Sequence, residues 1–317
     1  DGIDDDGNGY IDDISGWDFL FGDNDPYDNV DYGHGTGMAA DAVASDGGSG
    51  AVGVCFECRV LHVRVGDSFI ADGARFAAGV LFAVDSGAAV VQESLGVISN
   101  PVQAPQAIDA AAERGVPIAA SMADEASKHP NLPAALDRTI PVNSITTGLG
   151  PLTDLAGEVG IGGDYLALNG CTNYGGIAWI SVPSNSCSSE ATGRLGGMLA
   201  LIVAAARDAG VARHPGIVGD APGPLSANEV KQLLRATADD VDFSSPGTPG
   251  VDRANDEGGA PLIRYTTRAG WDSTFGFGRA NTYEAVRAAA AGEIPPEADI
   301  ASPALYEVLP ASGTVEV

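Results

Sequence analysis

Hydrophobic positions along the chain fall into two alternating kinds of segment. Short, continuous, β-branched runs at Cys58–Val65, Ala88–Leu95, Val116–Met122, Thr139–Ile145 and Ile177–Pro183 read as strands covered on both faces. Between or after them lie alanine-rich stretches with helical spacing, at Ala71–Val84, Gln103–Arg114, Ala191–Arg207, Ala227–Ala238 and Asn281–Ala291. This alternation predicts an α/β fold, a parallel β-sheet flanked by helices on both faces. Ser226, with Glu229 three residues on, predicts a capping box at one helix start. The Gly- and Asp-rich stretch Ser244–Gly259 predicts a mobile surface insertion.

The pattern changes near the end. Glu293-Ile294-Pro295-Pro296-Glu297-Ala298 predicts a stiff linker, and Gly313–Val317 alternates like the first strand of a β-domain. The expected division is a main domain over 1–292, then linker and strand over 293–317.

Charge narrows the function classes. The 317 residues carry 43 Asp and Glu against 16 Lys and Arg, a net charge of −27. Lys128 and Lys231 are the only lysines, and no basic run occurs, which excludes nucleic acid and anionic membrane surfaces as partners. The longest apolar run, Met198–Ala206, is far short of the roughly 20 residues of a membrane span. The opening Asp1-Gly2-Ile3-Asp4-Asp5-Asp6 has neither a basic nor an apolar leader region, and the chain starts without Met, as if in mid-domain. Four cysteines, Cys55, Cys58, Cys171 and Cys187, suit two disulfides in an oxidising, secreted or periplasmic setting. The rival for the first pair is zinc on Cys55, Cys58 and His62.

Three motifs carry chemistry. Asp4, Asp6, Asn8, Tyr10 and Asp12 alternate through D-x-D-x-N-G-x-x-D, with Gly9 at the sharp turn, a spacing suited to Ca²⁺. Ser15 stands where an EF-hand needs its closing Glu, so a calcium loop of another kind is expected. His34 lies in Gly33-His34-Gly35-Thr36 at the start of a small-residue helix, where backbone and substrate can approach closely. Ser189 lies in Ser186-Cys187-Ser188-Ser189-Glu190-Ala191 at the start of an apolar helix, whose N–H groups and dipole suit a developing oxyanion. Taken singly, the histidine reads as structural and the serine as a cap. Their order in the chain decides otherwise.

That order resembles the subtilisin-like serine proteases, the subtilases, over about residues 1–292. Asp4–Asp13 matches their calcium-loop insert, and His34–Ala40 their H-G-T-H-V-A-G. Ser94-Leu95-Gly96 matches the substrate strand S-L-G, Ser121-Met122-Ala123-Asp124-Glu125 the A-A-G-N-E strand end, and Thr172-Asn173-Tyr174-Gly175 the S-N-Y-G. Cys187–Gly193 matches G-T-S-M-A-A-P, and Gly276–Asn281 the closing G-x-G-x-x-x-A. The resemblance implies His34 as general base and Ser189 as nucleophile. Ser94, Leu95, Gly96, Ser121, Met122 and Ala123 would pair with a polypeptide substrate.

The departures are specific. The family's triad Asp sits in a D-[TS]-G upstream of the calcium loop, so it and the first strand are expected on a preceding segment. Asp85-Ser86-Gly87 falls at a helix end and is not that residue. Asp124 replaces the oxyanion Asn, Cys187-Ser188 replaces Gly-Thr, Glu190 to Arg194 replaces Met-Ala-Ala-Pro-His, and Gly37 replaces the second His. The expected function is a secreted, calcium-stabilised serine endopeptidase. The alternative is a pseudoprotease of the same fold, serving as a binding or assembly module.

Overall fold

The parallel sheet forms where the unbroken apolar runs predict it. A computed structural model describes residues 1–28, 33–47, 50–146, 167–242, 267–297 and 308–312. In chain order the elements are β1 (Gly16–Asp18), α1 (His34–Val43), β2 (His62–Arg64), β3 (Ile70–Ala71), α2 (Gly73–Asp85), β4 (Val91–Glu93), β5 (Gly96–Val97) and α3 (Gln103–Glu113). There follow β6 (Ile118–Ser121), β7 (Thr139–Thr146), β8 (Ala167–Leu168), β9 (Ile180–Pro183), α4 (Ser188–Asp208), α5 (Ala227–Thr237) and α6 (Thr282–Ala291).

Strands β4, β6, β7 and β9 run parallel in that order, with Val91 opposite Ile118, Ile118 opposite Thr139, and Val142 opposite Ile180. β8 adds antiparallel at the end of β7. Because side chains alternate along a strand, β6 serves two cores. Ile118 packs with Phe76, Val80 and Ile108 of α2 and α3, whereas Ala119 packs with Leu195, Leu199 and Leu233 of α4 and α5. The helices thus cover both faces.

Local signals explain the element ends. Asp72 caps α2 by accepting from the N–H groups of Ala74 and Arg75, so the helix begins two residues later than its apolar pattern. The capping box at Ser226 and Glu229 forms as expected. Cys58 N–H donates to Cys55 O at 2.9 Å, and this turn shortens the expected 58–65 strand to β2. Cys55 pairs with Cys58 and Cys171 with Cys187, Cα–Cα 5.3 and 5.7 Å, so the zinc alternative falls away. Ser244–Gly259 and Gly313–Val317 lie outside the described residues, and Val308–Ser312 forms no strand. Among the described residues, no helix is long and apolar enough to cross a membrane.

One discontinuity matters for the site. β2 pairs only with β1, and β4 pairs in the main sheet only with β6, among the described residues. A cavity of about 530 Å³ lies between β2 and β4, walled by both strands and by α1, α2 and α4. His34 and Asp28 also line it. β3 pairs with β5 through Ile70–Gly96 and Ala71–Val97, joining the segments that follow β2 and β4.

Candidate active site

His34 and Ser189 open two helices that pack on each other. His34 is the first residue of α1, preceded by Gly33 at φ 69°, a left-handed turn that favours glycine. Ser189 is the second residue of α4, whose start at Ser188 lies three residues before the apolar pattern predicts. The helices approach closely because α4 presents glycine to α1. A Cβ on Gly193 would lie 2.7 Å from Met38 O, and one on Gly197 would lie 2.9 Å from Ala42 O. Alanine at either position would push the two helix starts apart.

Asp124 bonds the start of α4 and acts electrostatically on His34 at the start of α1. Its Oδ1 accepts from Ser188 N at 2.8 Å and from Ser188 Oγ at 2.6 Å. Cys187 offers α4 no side-chain cap, so Asp124 fills that role from the end of β6. Ser121 Oγ completes the cluster at 2.7 Å from Ser188 Oγ. The neighbouring Ala123 holds φ 68°, a strained conformation for a residue with a Cβ. Desolvation raises the Asp124 carboxyl above its ordinary range, against the lowering pull of the Ser188 bonds and the His34 charge. Oδ1 is enclosed by Ser188, while the residue as a whole stays open to the cleft.

His34 moves the other way. Desolvation lowers its pKa from 6.5, opposed by the negative charges of Asp124 and Asp28. The Asp28 carboxylate sits against the start of α1, 3.9 Å from where a Cβ on Gly33 or Gly35 would lie. Sequence reasoning passed over Asp28, because an Asp in an acidic loop carries no local signal.

The substrate-strand residues divide. Ser94 Oγ donates to Ser189 O at 3.0 Å, tying the end of β4 to the residue expected as nucleophile. Gly96 lies on β5, against the side chain of Asn131. Leu95 packs against the α2–α3 core, and Met122 is wholly buried with its N–H on Val142 O at 3.0 Å. Leu95 and Met122 therefore contribute to the core.

At the acidic loop the expected ligand set is not the one drawn together. Asp4 turns onto the N–H groups of Gly7, Asn8 and Gly9, and Asp6 holds the Asn8 backbone and amide. Asn8 accepts from Tyr10 N–H, and the Tyr10 ring packs edge-on against Trp17, Phe19 and Phe82, anchoring the loop to α2. The carboxylates that gather are Asp1, Asp5 and Asp12, with ligand atoms within 4.8 Å of one another. Only Asp12 belongs to the expected set. An all-oxygen donor group of this kind fits a hard cation such as Ca²⁺.

The chain is similar to known proteins in sequence and in fold. Thermitase of Thermoactinomyces vulgaris is 33% identical over 133 residues, covering 41% of this chain and 47% of the relative. A thermophilic serine proteinase of Bacillus sp. (strain AK1) is 28% identical over 243 residues, covering 74% and 53%. The chain thus spans about half the length of the relatives it matches. Among solved structures, the prenylagaramide maturation protease PagA superposes with a TM-score of 0.56 at 18% identity, covering 81% of this chain and 82% of that one. The PatG macrocyclase domain gives 0.54 at 17%, covering 80% and 67%. These low identities speak for the fold. The family pattern runs from residue 3 to residue 278, and the chain belongs to the subtilase family.

Proposed function

We propose that this chain forms the body of a secreted, calcium-stabilised serine endopeptidase. The observation that carries the reading is the hydrogen bonding of Asp124 and Ser94 around the start of α4, on which α1 packs with His34 as its first residue. His34 takes the Ser189 hydroxyl proton as Oγ attacks a peptide carbonyl, and then gives that proton to the leaving amine. Water enters by the same exchange and releases the acyl group as a carboxylic acid. Asp124 meets the oxyanion in its protonated form, donating from Oδ2 while Oδ1 stays on Ser188. Its raised pKa supports that state.

Two further parts belong to the reading. A preceding segment adds a parallel strand between β2 and β4 and brings a carboxylate to His34; the facing strand edges, the cavity and the place of His34 in its wall support this. Asp1, Asp5 and Asp12 would hold Ca²⁺, which would stabilise the acidic loop and take no part in bond cleavage. Two disulfides support an oxidising, extracellular setting.

Fluorophosphonate labelling, with the preceding segment present, tests the proposal. The label is expected on Ser189, lost in Ser189→Ala and sharply reduced in His34→Ala. Label on Ser188 would reassign the nucleophile. A protein that takes no label and cleaves no peptide is a binding module instead.

A further inference from the structure

The segment Pro183–Cys187, which delivers the chain from β9 into the start of α4, is gripped by one ion pair on α4. Glu190 and Arg194 stand one helical turn apart, with the acid N-terminal, the favourable order. Arg194 Nη2 bonds Glu190 Oε1, and its Nη1 donates to Pro183 O at 2.7 Å. Glu190 Oε2 accepts from Asn185 N at 3.0 Å and from Ser186 N at 2.5 Å. The pair therefore holds three backbone groups across four residues, and Glu190 is itself the residue after Ser189.

This grip is built into the interior. Glu190 is 9% exposed, and its carboxylate is committed to Arg194 and two amides. A carboxylate so enclosed is held in one position, because each bond it makes is charge-assisted. On its other side the segment meets neutral partners. Ser184 Oγ and Ser144 Oγ donate to Ser186 O at 2.7 and 3.1 Å, and Cys187 is bonded to Cys171.

We propose that Glu190, held by Arg194, is a positioning residue for Ser189, fixing the angle at which the chain enters α4 and so the direction of the nucleophilic hydroxyl. This rests on the peptidase reading for what is positioned, but the grip itself is independent of it. Neither side chain is assigned contact with substrate. Asp41, on α1, faces the pair and packs beside Gly193. It is a third charged group at this place, attracted by Arg194 and repelled by Glu190.

The test compares wild type, Glu190→Gln, Arg194→Met and the double variant, each with the preceding segment present. Amide exchange over residues 183–188, fluorophosphonate labelling rate and peptide kinetics are measured on folded protein. Glu190→Gln is expected to raise exchange over 183–188 at least tenfold and leave the α4 residues beyond Arg194 unchanged. Labelling and kcat are expected to fall about tenfold or more, with KM held. The double variant should be no worse than Glu190→Gln, since the two residues act as a unit. If Glu190→Gln does not fold, Arg194→Lys serves instead. It keeps a charge opposite Glu190, loses the second prong to Pro183 O, and should loosen 183–186 alone.

Unchanged exchange over 183–188, or a rise shared by the whole protein, overturns the proposal. So does a loosened segment with labelling and kcat intact. A wild type that resists exchange here yet takes no label removes the peptidase reading, while the grip remains visible in the variants.

Discussion

Replacing Asp124 by Asn isolates one proton. Asn is isosteric, its Oδ1 can accept from Ser188 N and Oγ as Asp124 does, and its amide stands where Oδ2 stood. The substitution therefore removes a titration and keeps the cap on α4. On the proposed mechanism His34 must be neutral, so activity rises as pH passes its pKa, which burial lowers below 6.5. Asp124 must be protonated, so activity falls as pH passes its pKa, which desolvation raises above 3.8. The two titrations together make the wild-type profile bell-shaped, with His34 setting the acid limb and Asp124 the alkaline limb. Losing an oxyanion donor costs about 3–4 kcal/mol of barrier, a factor of 10²–10³. At pH 9, Asp124→Asn should exceed the wild type by at least that factor, and the two should converge toward the acid edge. The assay is kcat/KM against pH for a peptide ester, with fluorophosphonate labelling in parallel. A wild-type profile that stays flat to pH 9 would refute the argument, because a carboxylate cannot donate to an oxyanion.

Three other outcomes follow from the structure. Asp41 is pushed up to about 6, by burial first and by Glu190 second. The unfolded chain then releases its proton near 3.9 and the folded protein only near 6, so stability falls as pH rises between them and levels off above. Discounted for its exposure, Asp41→Asn should stabilise by about 1 kcal/mol above pH 6 and by nothing below pH 3.5, read from urea midpoints. Added Ca²⁺ should raise Tm, and Asp12→Asn should remove most of that rise; an equal rise in both proteins would place the ion elsewhere. A peptide of the preceding segment should bind the chain and bury the cavity between β2 and β4; unaltered exchange in both strands on mixing would rule this out.

The fold was legible because its signals are local. Unbroken apolar runs marked the parallel strands, and the cap at Ser226 marked a helix start to the residue. The short pairs β1–β2 and β3–β5 were not legible as such, since two or three residues carry no period and depend on distant partners. In the candidate site, the sequence singled out His34 and Ser189 by their Gly-rich and Ser-rich settings. Ser188 as the partner of Asp124 did not, because that bond joins residues 64 apart in sequence. Glu190 and Arg194 were visible only as departures from a family motif. What they hold becomes apparent once β9 and α4 are in place. In the acidic loop Asp4, Asp6 and Asn8 serve backbone N–H groups, a use that the sequence pattern does not distinguish from holding a cation.

Two facing strand edges also govern how separate copies of this chain behave in solution. An open edge is a template for any extended backbone, including that of another molecule, and mature sheets bury or charge such edges to stay monomeric. Here, among the described residues, no further strand covers these edges, so protection falls largely on the molecule's overall charge of −27. Mutual repulsion at that charge keeps molecules apart at low ionic strength, and its range shrinks to about 8 Å at physiological salt. A chain whose slot is empty should therefore be dispersed in dilute buffer and grow into larger particles as salt is added. One whose slot is filled should scatter light no more at high salt than at low.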